Sequence, residues 1–172
     1  MRKGYIQVYT GTGKGKTTAA LGLALRAAGA GLTVFIAQFI KKKRCSEHIA
    51  LERFNDLITY RHYGTGLLRD AAPSGEAIDA AQKGFEEVRG IVASGRYDLV
   101  ILDEINTAAH YNLVSVEGIL GLLDAKPSGT EMVLTGRYAD DRVMERADLV
   151  TEMKEIKHYY KKGVKARKGI ED

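Results

Sequence analysis

A glycine-rich stretch near the start of the chain, YTGTGKGKTTAALG at positions 9–22, constrains the fold more than any other part of the sequence. Its glycines occupy alternate positions, and a lysine and two threonines follow them. The preceding segment, Tyr5–Tyr9, is rich in β-branched and aromatic residues and predicts a strand. Lys16–Ala28 is rich in Ala and Leu and predicts a helix that stops near Gly29. A strand, a glycine loop and a helix in this order can hold phosphate groups.

The loop approximates the P-loop pattern G-x-x-x-x-G-K-[ST], with Thr10 standing where the first glycine is expected. Backbone N–H groups of the loop can converge on phosphate at the helix N-terminus, Lys16 supplies a positive charge, and Thr17 can hold Mg²⁺. A turn that merely connects strand to helix is the alternative, which the GKGKTT sequence disfavours. We predict that the nucleotide is bound by Gly11, Thr12, Gly13, Lys14, Gly15, Lys16, Thr17 and Thr18.

A second motif, LVILDE, ends an apolar run with Asp103 and Glu104. Paired acids at a strand end are common, but together with a phosphate loop they match a Walker B pair, whose carboxylate holds Mg²⁺ directly or through water. We expect Thr17, Asp103 and Glu104 to bind the metal. Lys16 and Glu104 are the catalytic candidates, because Glu104 could also polarise a water for attack on the γ-phosphate. Arg137, in LTGR, is predicted to contact phosphates or a substrate carboxylate, with a solvated surface charge as the alternative.

The rest of the chain alternates apolar runs with helical patterns. The runs Thr33–Ile40, Leu99–Leu102 and Met132–Thr135 are typical of parallel strands covered on both faces. A stripe with spacings of three and four predicts a long helix through Ile78, Ala81, Phe85, Val88 and Val92. A weaker strand is predicted at Leu57–His62, and short helices at Val116–Leu123 and Asp140–Ala147. The expected fold is an α/β P-loop NTPase (RecA-like) three-layer fold with a mostly parallel central sheet and its ligand at the carboxyl ends of the strands.

Length and composition narrow the class of protein. At 172 residues the chain fits one domain, expected to span residues 1–172, with the charged segment 155–172 as a basic tail over the site. A net charge of +4 suits an anionic ligand but falls short of a nucleic-acid-binding signature. The single cysteine, Cys45, excludes an intramolecular disulfide, and its charged neighbours predict an exposed thiol. No apolar run reaches the roughly 18 residues of a membrane span, so we expect a cytoplasmic protein with neither membrane nor nucleic-acid partners.

Several stretches together resemble one family, the P-loop ATP:corrinoid adenosyltransferases of cobalamin biosynthesis. The matching pieces are GTGKGKTTAA, AQFIK, YGTG, LVILDEIN, VLTGR, ADLVTEM and the tail segments IKH and GVKARKGIE. They occur in the family's order and cover nearly the whole chain. General ATPases lack the KH and KGIE elements of the tail, which makes the set specific.

The resemblance implies a group transfer in which cobalt(I) of a corrinoid attacks C5′ of ATP, takes the 5′-deoxyadenosyl group and leaves triphosphate. The implied ligands are Mg²⁺, ATP as co-substrate, and cob(I)yrinic acid a,c-diamide or cob(I)alamin as substrate. The implied partners are an electron donor such as a flavoprotein reductase and a second copy in a homodimer. Carried over by position, residues 11–18 bind the triphosphate, Lys16 with Mg²⁺ neutralises it, and Thr17 with Asp103 or Glu104 holds the metal.

The sequence departs from the family pattern beside the expected corrinoid site. Leu67, Leu68 and Arg69 stand where relatives place aromatic residues that are thought to help remove the corrinoid's lower ligand. The run KKKRCSEH follows QFIK in place of a tryptophan- and glycine-containing stretch, which affects the expected corrinoid contacts around Lys41–Glu47. The loop Gly64–Ser74 and the tail are the two candidates for a lid.

Two other functions remain open at this level. A RecA-like ATPase or nucleotide switch predicts ADP and phosphate as products and stimulation by nucleic acid. A nucleotide-dependent regulator or corrinoid carrier predicts binding of both ligands without turnover. The P-loop combined with the KH and KGIE elements of the tail favours the transferase over both.

Overall fold

The computed structural model describes residues 3–41, 45–66 and 73–171. Its strands are β1 (Ile6–Thr10), β2 (Val34–Gln38), β3 (Ile58–His62), β4 (Leu99–Asp103), β5 (Glu131–Thr135) and β6 (Leu149–Glu152). They form one sheet in the order β3-β2-β4-β5-β1-β6, and every neighbouring pair is parallel. The carboxyl ends of all these strands therefore meet at one edge of the sheet, where ligands bind in open parallel sheets.

Helices cover both faces of this sheet. They are α1 (Lys16–Gly29), α2 (Ser46–Leu51), α3 (Gly75–Ala93), α4 (Ile105–His110), α5 (Val116–Asp124) and α6 (Asp141–Arg146), with short 3-10 helices at Glu52–Phe54 and Tyr159–Lys162. α1 and the end of α2 pack on one face with Ile36, Ile101 and Val133, whereas α3 to α6 pack on the other. This arrangement confirms the predicted three-layer α/β fold with a parallel sheet.

The long helix α3 illustrates how the sequence directs the packing. The Ser74 side chain accepts a hydrogen bond from the backbone N–H of Ala77 at 3.2 Å, which caps the helix start. The predicted stripe is buried from Ala81 to Val92, but its first member, Ile78, is only partly buried, and the neighbouring Ala77 faces the core instead. The helix period is therefore correct, and the fully buried positions begin at Ala77 rather than at Ile78.

The strands and helices that the sequence predicts agree with the observed ones to within two residues at their ends, except that α3 begins three residues before Ile78. Five short elements were not predicted: α2, α4, β6 and the 3-10 helices at Glu52–Phe54 and Tyr159–Lys162. The expectation of an exposed Cys45 thiol is wrong, because Cys45 directly precedes α2 and is only 5% exposed. The predicted roles of Leu67, Leu68 and Arg69 fall outside the described residues, as does part of the Lys41–Glu47 run. Across the described ranges, no helix is both long and apolar enough to cross a bilayer.

Candidate active site

The phosphate loop lies between β1 and α1 and is held against the chain that follows β6. Gly11 and Gly15 have φ values of 96° and 119°, a conformation that favours glycine. The backbone N–H of Gly13 donates to the carbonyl oxygen of Met153 at 2.6 Å. A Cβ at Gly13 would lie 2.6 Å from that same oxygen. The alternate glycines thus provide both the turn and a close fit against the segment after β6.

The start of α1 is available to an anion. Unlike α3 and α5, which begin at capping serines, α1 has Gly15 at its N-cap, and no side chain of the described residues caps it. Its first turn also carries no acidic residue. Because uncapped N–H groups and the helix dipole both favour negative charge, this end of α1 is suited to phosphate.

Lys16 is folded back into the loop. Its ammonium Nζ donates to the carbonyl oxygens of Gly11 and Gly13 at 2.8 and 2.7 Å, and the residue is only 7% exposed. Burial lowers the pKa of Lys16 from its usual value, while the carboxylates of Glu104 and Asp103 oppose that shift. A largely desolvated ammonium whose hydrogen bonds go to carbonyl oxygens interacts strongly with any phosphate that enters the loop.

Asp103 is the centre of a buried hydrogen-bonding group at the end of β4. Its Oδ1 accepts from the Thr17 hydroxyl at 2.9 Å and from the Thr135 hydroxyl at 2.7 Å. Its Oδ2 accepts from Nε2 of Gln38 at 2.9 Å. The predicted partners Thr17 and Asp103 are therefore in direct contact, although they are far apart in the sequence.

Glu104 occupies an unusual backbone position. Its φ of 62° and ψ of 19° are left-handed, which is uncommon for a residue with a side chain, and it forms the N-cap of α4. Its backbone N–H donates to the hydroxyl of Thr135 at 3.0 Å, and its carboxylate accepts from the hydroxyl of Thr107. Burial, together with the nearby Asp103 charge, raises the pKa of Glu104 against the opposing effect of the Thr107 hydrogen bond.

Arg137 lies across from the phosphate loop, after β5. Its backbone N–H donates to the hydroxyl of Thr107 at 3.0 Å, so Thr107 joins Arg137 to Glu104. The preceding Gly136 has a φ of 134°, and a Cβ there would lie 2.7 Å from the backbone nitrogen of Thr107. Glycine therefore allows the loop after β5 to approach α4 closely.

These groups surround a cavity of about 760 Å³. It continues past the phosphate loop into a groove between α1 and α2, so its volume exceeds what triphosphate alone needs. Its walls are the loop residues 12–18, Leu21, Gly22 and Leu25 of α1, Ser46, Glu47 and Ala50 of α2, Lys41, Glu104, Arg137, His158, Gly169, Ile170 and Glu171. The structure thus brings the predicted residues Thr12 to Thr18, Glu104 and Arg137 to one cavity. Gly11 and Asp103 do not line it but accept hydrogen bonds from Lys16 and Thr17, which do.

The second loop lysine, Lys14, contacts the tail. Its ammonium donates to the carboxylate of Glu171 at 3.0 Å, to the hydroxyl of Tyr159 at 3.1 Å and to the carbonyl oxygen of Ile170 at 3.1 Å. Glu171 also accepts from the guanidinium of Arg167 at 3.0 Å. The Arg167 and Tyr159 hydrogen bonds hold the pKa of Glu171 well below its usual range. An ionised carboxylate of the tail therefore lies beside the phosphate loop.

Three polar residues that help to build the site were not predicted as site residues: Gln38, Thr107 and Thr135. Gln38 and Thr135 are the last residues of buried strands, inside the AQFIK and VLTGR motifs. A polar residue that ends an otherwise apolar strand at the ligand-binding edge is the signal that could have identified them.

The donor set near Thr17 fits Mg²⁺. A hydroxyl and a carboxylate oxygen lie in contact there, and Glu104 adds a second carboxylate close by. Mg²⁺ prefers oxygen ligands and usually takes one or two from the protein, with phosphates and water as the others. No group of three or more His, Cys, Asp or Glu side chains that could hold a metal occurs in the part of the chain that the structure describes. This pattern suits a metal ion that enters with a nucleotide.

Comparisons with solved structures show the same fold. A KaiC-like protein from Pyrococcus horikoshii OT3 aligns with a TM-score of 0.57 at 16% identity, over 88% of this chain and 73% of its own. The flagellar accessory protein FlaH from Methanocaldococcus jannaschii aligns with a TM-score of 0.61 at 11% identity, over 88% of this chain and 72% of its own. These alignments confirm the predicted P-loop NTPase architecture.

Sequence comparisons identify the family. A corrinoid adenosyltransferase of Sinorhizobium sp is 37% identical over 98% of this chain and 80% of its own length. The corrinoid adenosyltransferase of Escherichia coli K12 is 34% identical over 98% of this chain and 86% of its own. Residues 2–171 match the family described as ATP:corrinoid adenosyltransferase BtuR/CobO/CobP. The resemblance predicted from the motifs is thereby confirmed, and the chain belongs to the ATP:corrinoid adenosyltransferase family.

Proposed function

We propose that this protein transfers the 5′-deoxyadenosyl group of ATP to cobalt(I) of a corrinoid and releases triphosphate. The observation that carries the proposal is the phosphate loop itself, with Lys16 buried in it and Thr17 in contact with Asp103, in a chain that matches the family over residues 2–171. The groove between α1 and α2 supports it further, since the cavity has room for more of the nucleotide than its phosphates.

The reaction balances without a nucleophile from the protein. The electron pair of cobalt(I) forms the bond to C5′, the bond between C5′ and its phosphate oxygen breaks, and that electron pair leaves with triphosphate. The protein then has to place the two substrates and to stabilise charge on the departing oxygen. This explains how a P-loop can serve a reaction other than hydrolysis, because it holds the leaving group.

The residues of the site have distinct roles in this proposal. The N–H groups of residues 11–18 and the ammonium of Lys16 would bind the triphosphate, and Arg137 would add a second positive charge from the opposite side. Thr17 and Asp103, with Glu104 nearby, would hold Mg²⁺, which supplies further charge neutralisation when bound. Lys14 and the tail residues next to it would limit access of water to the loop, which matters because hydrolysis would compete with transfer.

The finer features follow from the family resemblance. We propose cob(I)alamin or cob(I)yrinic acid a,c-diamide as substrate, an electron donor such as a flavoprotein reductase, and a homodimer as the assembly. The corrinoid would lie near Lys41–Glu47 and the loop Gly64–Ser74. Lys41 and Glu47 form an ion pair at 3.3 Å on the wall of the cavity, so they are placed to contact a ligand beyond the phosphates.

The test is an anaerobic assay with Mg²⁺, ATP and chemically reduced cobalamin. The visible spectrum of the corrinoid is followed while triphosphate, ADP and phosphate are quantified. We expect adenosylcobalamin together with an equal amount of triphosphate. ADP and phosphate with an unchanged corrinoid spectrum would instead identify an ATPase, and binding of both ligands without any product would identify a carrier or regulator.

A further inference from the structure

A buried glutamine lies directly beside the candidate metal-binding carboxylate. Gln38 and Asp103 are paired in register at the ends of β2 and β4, and they are 1% and 2% exposed. Nε2 of Gln38 donates to Oδ2 of Asp103 at 2.9 Å. The other carboxylate oxygen, Oδ1, accepts from the hydroxyls of Thr17, in the first turn of α1, and Thr135. The glutamine thus holds the oxygen that faces away from the phosphate loop.

The direction of this contact is fixed by chemistry. An ionised carboxylate can only accept hydrogen bonds, so the amide nitrogen of Gln38 has to face Asp103. The amide oxygen then needs a donor, since an unpaired buried acceptor is costly. The hydroxyl of Tyr60 supplies it at 2.9 Å. Tyr60 lies on β3, so the contacts run across three adjacent strands.

Tyr60 is in turn held by α2. The ring of His48 stacks on the ring of Tyr60 with a centroid distance of 4.2 Å and an interplanar angle of 30°. His48 is 3% exposed, and its Nδ1 accepts from the backbone N–H of Cys45 at 2.9 Å. The neighbouring residues Ser46 and Glu47 line the nucleotide cavity. A continuous set of contacts therefore extends from the cavity wall to Asp103.

We propose that Gln38 is a positioning residue that orients the Asp103 carboxylate toward Thr17 and the metal ion, and that Tyr60 holds Gln38 in that orientation. This inference rests on the proposed function only in that the site binds Mg²⁺ with ATP. Without the amide, Oδ2 of Asp103 loses its buried donor. The carboxylate is then held through Oδ1, by Thr17 and Thr135, so it can turn about that oxygen. Binding of the phosphates by Lys16 and the loop N–H groups does not depend on Gln38.

The chain contains a matched control. Gln7 on β1 makes the same kind of contacts: its Nε2 donates to a carboxylate oxygen of Glu131 at 2.5 Å, and its Oε1 accepts from the hydroxyl of Tyr9 at 2.5 Å. Glu131 begins β5, at the end of that strand opposite the phosphate loop. Gln7→Met therefore removes a similar tyrosine–glutamine–carboxylate arrangement without touching the site.

The experiment compares the full chain with its variants Gln38→Met, Tyr60→Phe and Gln7→Met. Titration calorimetry gives the affinity for ATP with and without Mg²⁺, and electron paramagnetic resonance gives Mn²⁺ binding in the presence of ATP. Loss of a group that supports a metal ligand typically lowers metal affinity about 10–100-fold, so we expect at least about tenfold weaker Mn²⁺ binding in Gln38→Met. We expect a smaller loss of Mn²⁺ binding in Tyr60→Phe. In both Gln38→Met and Tyr60→Phe, the affinity for ATP without metal is expected to stay within about twofold of wild type. Gln7→Met is expected to show wild-type values in both measurements.

The possible outcomes distinguish a failure of this inference from a failure of the proposed reaction. Wild-type Mn²⁺ binding by Gln38→Met, equal losses of ATP affinity with and without the metal, or no ATP-dependent Mn²⁺ binding by the wild-type protein would each overturn it. If Gln38→Met does not fold, Tyr60→Phe decides alone, because it removes a single oxygen atom and keeps the ring on His48. A metal defect in these variants supports the positioning role even where the wild-type protein forms no adenosylcobalamin, an outcome that would contradict only the proposed reaction.

Discussion

At the scale of single residues, the site depends on one buried ammonium. Lys16 is held by two loop carbonyl oxygens and lies close to Asp103 and Glu104. Removing it leaves the loop with N–H groups but no buried charge for the phosphates. We expect Lys16→Ala to weaken ATP binding by at least about 100-fold, since a charge-assisted contact in a water-poor site is lost. Titration calorimetry checks this, with the exposed Lys83→Ala as control, and retained turnover at normal ATP affinity would rule out the role of the loop.

A second prediction at this scale concerns His48. Burial lowers its pKa, and the nearby Lys41 and His62 act in the same direction while Glu47 opposes them. The folded protein therefore favours neutral His48, whereas the unfolded chain takes up a proton near pH 6.5. The contribution of His48 to the free energy of unfolding is therefore complete above about pH 6.5. It is lost as the pH falls from that value to the lowered pKa of His48 in the folded protein.

The measurement is the free energy of unfolding by urea at pH 7.5 and pH 5.5. We expect the wild-type protein to lose more stability between these values than His48→Gln, whose side chain does not titrate and can still accept from the backbone N–H of Cys45. His110→Gln serves as the control, because His110 is an exposed histidine on α4. An equal drop in wild type and His48→Gln would show that burial of His48 does not couple folding to protons.

The sequence predicts some of these residues and not others for a physical reason. Lys16 and Thr17 are identified by local spacing, since a phosphate loop is built from consecutive residues. Asp103 is identified by its place at the end of an apolar run. Gln38 and Thr135 contact Asp103 only because β2 and β5 both lie next to β4. Strand order is a property of the whole sheet, and no local pattern contains it.

At the scale of elements, the phosphate loop and the segment after β6 are packed too closely to admit a side chain at position 13. A Cβ at Gly13 would lie 2.6 Å from the carbonyl oxygen of Met153, which is backbone and cannot move aside cheaply. We expect Gly13→Ala to cost about 1–3 kcal/mol of folding free energy, as overpacking typically does, and to weaken ATP binding as well.

Gly121→Ala is the matched control for this prediction. Gly121 lies inside α5, and a Cβ there meets no atom within 4 Å. Because alanine favours the helix over glycine, we expect a gain of about 0.5–1 kcal/mol and unchanged ATP binding. Urea unfolding gives the free energy of unfolding of both variants, and calorimetry gives their affinity for ATP. If Gly13→Ala had wild-type values of both, the loop would move freely relative to the segment after β6.

The elements that the sequence did not predict are all short. α2 and α4 contain six residues each, and β6 contains four, so none of them gives a periodic pattern long enough to recognise. β6 is also an edge strand with every residue exposed, and its LVTE sequence lacks the continuous apolar run of a central strand. Long elements such as α3 are predictable because burial of one face repeats over several turns.

At the scale of the whole molecule, the phosphate loop after the first strand meets the last segment that the structure describes. The loop follows the first strand, while Tyr159, Arg167 and Glu171 belong to the last segment that the structure describes. Glu171 joins them, since it accepts from Lys14, Arg167 and Tyr159. Most of the other described tail residues are exposed, so the contacts around the Glu171 carboxylate are a main candidate for what holds the tail in place.

We therefore expect Glu171→Gln to release the tail, because a neutral amide keeps the size of the side chain but loses its ion pairs with Lys14 and Arg167. Limited trypsin digestion followed by mass spectrometry measures the release, as the tail offers cleavage sites at Lys157, Lys161, Lys162, Lys165, Arg167 and Lys168. Cleavage of a transiently open segment follows the population of its open form, so we expect these sites to be cut at least about threefold faster than in wild type. Glu145→Gln changes an exposed acid on α6 and is expected to leave the rates unchanged. Equal cleavage of the wild-type and Glu171→Gln tails would mean that the carboxylate does not hold the tail on the loop.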